Sequence, residues 1–168
     1  MAEALLISKK DLQEYTSLNA NTDVDKVIQF VLVAQNIWIQ QYTGTKLLDK
    51  IKTDITNNTL AGNYITLVRS YLKPMLIHFT MVEYLPFCAY TISNKGIYKH
   101  QSENSEIVSK EEVDYLIEKE KRIAESYSQR FLDYICKNNS LFPEYTTNEN
   151  GDVYPQHNNY LTNWYLRR

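Results

Sequence analysis

Residues Val24–Tyr42 carry apolar side chains almost all the way round a helix, and a helix of that kind leaves few choices of fold. Val24, Val27, Ile28, Val31, Ala34, Trp38 and Tyr42 make one face at helical spacing. Phe30, Leu32, Val33, Ile37 and Ile39 widen it, leaving a thin polar strip of Asp25, Gln29, Asn36 and Gln40. Such a helix needs neighbours on most sides, either in the centre of a bundle or against a second subunit. A second run of the same character covers about Tyr64–Leu85. Pro74 inside it removes a backbone donor and predicts a kink or a break, and Pro86 is expected to end it.

Shorter helices fill the space around these two. Ser8 can cap Lys9–Ser17, and Thr22 or Asp23 offers an N-cap for the long apolar helix that stops near Gly44. Thr45 can cap Lys46–Thr56, with Leu47, Leu48, Ile51 and Ile55 inward. Ser109-x-x-Glu112 is a capping box, and the run from Val113 through Phe131 to Ile135 holds helical spacing to about Lys137. Its other face carries Glu111, Asp114, Glu118, Lys121, Arg122 and Glu125. These predict a solvated surface with Glu118–Arg122 and Lys121–Glu125 as i,i+4 pairs. The four glycines, Gly44, Gly62, Gly96 and Gly151, all fall where the periodic pattern stops.

Two stretches break the pattern, Pro86–Ser109 and Leu141–Arg168. Both are too apolar for solvated linkers and long for structureless segments in a compact domain. In the first, Thr91-Ile92-Ser93 and Ile97-Tyr98-Lys99 flank Asn94-Lys95-Gly96, which suggests a β-hairpin. A lone hairpin is marginal in water and needs a partner surface. The second stretch holds Phe142, Tyr145, Tyr154, Tyr160, Trp164 and Tyr165. Ile92, Asn94, Lys95, Gly96, Ile97, Tyr98 and Lys99, together with those six aromatics, are therefore the expected interface residues. Both arms are expected to order on assembly.

The formal net charge of −2 provides no bulk basic field for gripping a phosphate backbone. The 14 tyrosines against 5 phenylalanines favour half-wet contact surfaces, since Tyr offers a large ring with a polar tip. Cys88 and Cys136 have no metal-type spacing and read as reduced thiols. No signal peptide and no apolar run of about 18 residues is found, so a soluble chain without a membrane partner is expected.

A search for chemistry yields little. His78 shares a helical face with Tyr71, Met75 and Val82 and reads as a core histidine with a satisfied ring. Glu83 is the single acid of its apolar helix, and one carboxylate without a histidine three residues on makes no di-metal site. No Gly-rich phosphate loop, nucleophile elbow, H-E-x-x-H or C-x-x-C occurs. No catalytic, cofactor-binding or metal-binding residue is assigned, and no enzymatic activity or cofactor is expected.

Several passages resemble the small helical head–tail connector proteins of tailed bacteriophages, above all those of crAss-like and related phages of Bacteroidetes. They are Leu6-Ile7-Ser8-Lys9-Lys10-Asp11-Leu12, Ile39-Gln40-Gln41-Tyr42-Thr43-Gly44-Thr45-Lys46-Leu47 and Lys73-Pro74-Met75-Leu76-Ile77-His78. Asn94-Lys95-Gly96-Ile97, the capping box at Ser109 and the tyrosine-rich end complete the likeness. The resemblance implies a ring, a dodecamer in such families, docked beneath the portal protein in the virion. It would join capsid to tail, meet tail or further ring proteins, and let DNA pass through its lumen without specific binding.

The expected fold is mainly α: a bundle of about four to five helices over residues 1–140, with a long hairpin-like loop at about 86–109 and an extended C-terminal arm, 141–168. Two other functions fit the same residues. One is a helical adaptor or regulatory module that binds a single cellular protein. The other is a small enzyme that uses His78 and Glu83.

Overall fold

The computed structural model describes residues 3–16, 18, 24–88, 90–93, 96–99, 109–147 and 152–155, and they fold as a mainly α bundle. Helix α1 spans Lys9–Tyr15, against the expected Lys9–Ser17. Its capping box is complete: Ser8 Oγ accepts from the Asp11 amide, and the Asp11 carboxylate accepts from the Ser8 amide at 2.7 Å. Helix α2, Val24–Ala34, runs on through a π-helical turn, Gln35–Ile39, into α3, Gln40–Thr43. The expected caps at Thr22 and Asp23 lie outside the described residues. The π turn holds Gln35, which is fully buried yet satisfied. It accepts from the Leu6 amide and donates to the Ala4 carbonyl, both at 3.0 Å, so the N-terminal segment is tied to this helix.

Gly44 ends α3 and stands at the N-cap of α4, Thr45–Thr56, so Thr45 is the first helical residue rather than the cap. Helix α5, Asn63–Leu67, passes through a second π turn, Val68–Leu72, into α6, Lys73–Cys88. The kink expected at Pro74 takes this form. Proline has no N–H and its ring collides with the carbonyl four residues back, and a widened turn just before it relieves both problems. Pro86 does not end the helix as expected. It lies two residues from the end of α6, where its missing N–H forfeits a single hydrogen bond near a fraying terminus.

Helix α6 lies between α2 and α7, Lys110–Lys137, and packs on both, which is why it is apolar on most sides. Phe79 at its centre is fully buried and stacks on Trp38 at 4.5 Å between ring centroids. Ser109 and Glu112 form the expected capping box at the start of α7. Glu118 and Arg122 pair at 3.7 Å on its exposed face, whereas Lys121 and Glu125 form no ion pair. Strands β1, Tyr90–Ser93, and β2, Gly96–Lys99, make the antiparallel hairpin between α6 and α7, with Ile92 opposite Ile97 and Thr91 opposite Tyr98. No helix among the described residues is long and apolar enough to cross a membrane.

A short 3₁₀ turn, Asn139–Leu141, and helix α8, Pro143–Thr146, follow α7. The C-terminal stretch therefore departs from the extended arm expected of it. Its first part folds back on the bundle, with Phe142 fully buried and Tyr145 nearly so.

The Asp11–Lys73 ion pair, with both carboxylate oxygens 3.0 Å from Nζ, anchors α1 to α6. Burial opposes ionisation of Asp11, but hydrogen bonds from Ser8 and Lys73 outweigh it and hold the carboxyl below the usual carboxylate range. A depressed folded-state value means that the contribution is complete above the unfolded value, about 3.9, and fades as pH falls through the folded one. Acid unfolding monitored by circular dichroism should therefore show a smaller loss of stability below about pH 4 in Asp11→Asn than in the wild type. Identical acid limbs in the two proteins would contradict this role.

Candidate assembly interface

Helix α7 has 28 residues, about 42 Å at 1.5 Å per residue, but its fully buried residues begin only at Ala124. The first half, Lys110–Ile123, overhangs the bundle. Tyr115 is 65% exposed there and Leu116 44% exposed. The end of α6 runs antiparallel beneath it, and its residues pass from half-buried Tyr84 to exposed Phe87 and Cys88. The β1–β2 hairpin connects these two helix ends. The structure thus carries a hairpin on a two-helix projection whose apolar side chains are only partly covered. On α2 and the π turn that continues it, Phe30, Val33 and Ile37 follow one another as a single stripe. Phe30 packs on Phe87 at 5.3 Å and on Tyr84 at 5.6 Å, and Ile37 is 53% exposed at the far end of the stripe. The stripe is therefore continuous with the projection.

Of the expected interface residues, the hairpin places Ile92, Gly96, Ile97, Tyr98 and Lys99 in paired strands. Asn94 and Lys95 lie outside the described residues, as do Tyr160, Trp164 and Tyr165. Tyr154 is exposed on the surface. Phe142 and Tyr145, expected at an interface, are instead buried within their own subunit. Phe142 meets Tyr64 edge-on at 5.3 Å and Tyr134 at 6.1 Å, and Tyr145 meets Phe131 at 6.5 Å. Burial pushes the Tyr145 hydroxyl well above its ordinary range. Both rings fill the subunit's own core and are unavailable to a neighbour.

Among the described residues, 144–147 and 152–155 close over the α3–α4 junction and its surroundings. Lys46 Nζ donates to the Thr147 carbonyl at 2.9 Å, and the Tyr64 hydroxyl donates to Glu144 at 2.6 Å. The Thr45 amide donates to the Val153 carbonyl at 3.1 Å, while the Val153 amide donates to Thr45 Oγ1 at 3.2 Å. Pro155 is buried against Gly44. Thr45, expected as a cap, instead uses its hydroxyl to hold this distant segment. Sequence reasoning missed Val33, Ile37, Phe87, Tyr115 and Leu116 as surface residues. The available signal was the apolar excess of α2 and α6 beyond what one bundle can cover.

The two residues considered for chemistry do not converge. His78 Nδ1 lies 2.7 Å from Glu120 on α7, and its ring stacks on Tyr127. Glu83 accepts from the Trp38 indole N–H at 2.8 Å, on the α2 side of α6. Each is occupied by a different neighbour. A groove of about 470 Å³ opens beside His78 between α1, α6 and α7, lined by Asp11, Tyr15, Arg69, Lys73 and Tyr127 among others. Its Asp11 and Lys73 are already paired with each other. Among the described residues no group of three or more His, Cys, Asp or Glu side chains is placed to hold a metal ion.

A family model described as "Family of unknown function (DUF6712)" matches residues 39–155 of the chain. No curated protein matches, and neither does any solved structure.

Proposed function

The chain belongs to the DUF6712 family, and from that premise we propose that it is a structural connector of a tailed-phage virion. In this role twelve copies form a ring beneath the portal, join capsid to tail and prolong the DNA channel. The observation that carries the proposal is the hairpin-tipped α6–α7 projection, with Phe87, Tyr115 and Leu116 uncovered and the α2 stripe continuing from it. Apolar surface of this kind marks protein contact sites. A subunit that offers one patch to a different patch on the next copy closes into a ring. The family match spans both the hairpin and the C-terminal segment that closes over Gly44, so both features lie within what the family model describes. The sequence likeness to connector proteins, at Leu6–Leu12, Ile39–Leu47 and Lys73–His78, supplies the identity of the partner. The near-neutral charge suits a lumen through which DNA slides without sticking.

Co-sedimentation with a portal protein from the same genome, followed by electron microscopy, tests the proposal. Ring-shaped density on the portal is the expected result. A chain that stays in the supernatant and forms no ring at any concentration points instead to the adaptor function, in which the same apolar surface holds one cellular protein.

A further inference from the structure

The exposed face of α7 changes sign abruptly along its length. Residues 111–118 contain Glu111, Glu112, Asp114 and Glu118 and no base. Residues 119–130 contain Lys119, Lys121, Arg122 and Arg130 against two acids, one of which, Glu120, is turned inward to His78. Two such helices laid antiparallel bring the acidic segment of each against the basic segment of the other. We propose that, in the free protein, two copies pair antiparallel through the exposed face of α7 between Glu111 and Arg130.

A single stripe carries the contact, because Glu111, Tyr115, Glu118, Arg122 and Ser126 follow each other at helical spacing. Crossing near Glu120 sets Glu118 opposite Arg122 of the second copy, and the two-fold axis repeats that pair. Glu118 and Arg122 are 70% and 81% exposed and only 3.7 Å apart within one helix, so they can form a four-charge cluster with little reorganisation. Tyr115, 65% exposed, then lies over the small Ser126 of the second copy and is covered. This gives an occupant to the groove that α7 lines with Tyr115, Glu118, Arg122 and Ser126. The pairing does not rest on the connector function, because it concerns the free chain and needs no portal. A two-fold contact also differs in symmetry from the lateral contacts of a ring.

Sedimentation equilibrium on the full chain and two charge-reversal variants tests it. One variant carries Glu111→Lys, Asp114→Lys and Glu118→Lys, and the other Lys119→Glu, Arg122→Glu and Arg130→Glu. All six positions are exposed, and circular dichroism confirms folding of each variant. The wild type should be dimeric at low salt, with a dissociation constant that rises roughly tenfold as salt approaches about 1 M and screens the pairs. Each variant alone should be monomeric, and an equimolar mixture should restore a one-to-one dimer, since both contacts then join opposite charges. A monomeric wild type at low salt, or variants that dimerise as the wild type does, would overturn the pairing. Rings on the portal in either case leave the connector function standing.

Discussion

Phe142→Ala should lower the stability of the free subunit by about 3–5 kcal/mol, the largest effect expected of any single substitution in the C-terminal segment. Phe142 is fully buried and is wedged between Tyr64 and Tyr134, with its helix α8 held by the Tyr64–Glu144 hydrogen bond. Removing the ring leaves a cavity in the middle of those contacts, and the packed helices α5 and α7 that carry Tyr64 and Tyr134 limit collapse. Chemical denaturation of the monomer checks this, with the midpoint falling at unchanged m-value. The size of the effect separates two roles. A ring kept for a neighbouring subunit could be truncated with less than about 0.5 kcal/mol of change in the isolated chain.

Gly44→Ala should cost about 1–3 kcal/mol, for two reasons that act together. Gly44 has a φ of +73°, which an L side chain rarely adopts, and an added Cβ would meet the Pro155 ring at 2.8 Å. The strain alone loosens the α3–α4 turn, while the collision dislodges Pro155 and with it the paired Thr45–Val153 hydrogen bonds. Limited proteolysis gives the sharper readout: cleavage near residues 152–155 should accelerate at least several-fold in the variant. Gly62→Ala is the internal control. Gly62 also has a positive φ, +56°, but nothing lies within 4 Å of its would-be Cβ, so only the strain should appear. Equal proteolysis of the two variants would remove the case for Pro155 as the reason for Gly44.

Much of this architecture is legible before any coordinates. The two all-round apolar runs announced a central helix with neighbours on both sides, and α6 occupies that place between α2 and α7. Ser8 and Ser109 named their own helix starts, because a capping box is a local arrangement of four residues. His78 has the satisfied ring expected of it, with Glu120 as partner, although it is half-buried beside a groove rather than in the core. The hairpin followed from short β-compatible runs on either side of a turn, but its register did not: Gly96, expected in the turn, pairs with Ser93.

What escaped the sequence depends on contacts far along the chain. Phe142 and Tyr145 look the same whether they fill their own core or a neighbour's, since an irregular segment has no periodicity to show which side is buried. Here own-chain burial won, because Tyr64, Phe131 and Tyr134 leave a gap that two aromatic rings fill. Gly44 signalled a helix stop, but its need to admit Pro155 is set 111 residues away and leaves no local trace. The π turns were equally hidden, although Pro74 marked one of them as a site of irregularity.

The most direct measurement is hydrogen exchange on the free chain and on the chain docked to portal, followed at two peptides. Backbone amides of Tyr90–Lys99 should exchange quickly in the free protein and become protected on docking, because a lone hairpin gains stability only from a partner surface. Amides of Phe142–Thr147 should be protected equally in both states, as part of the subunit's own core. A hairpin that exchanges at the same rate with and without portal would contradict its role as the docking element.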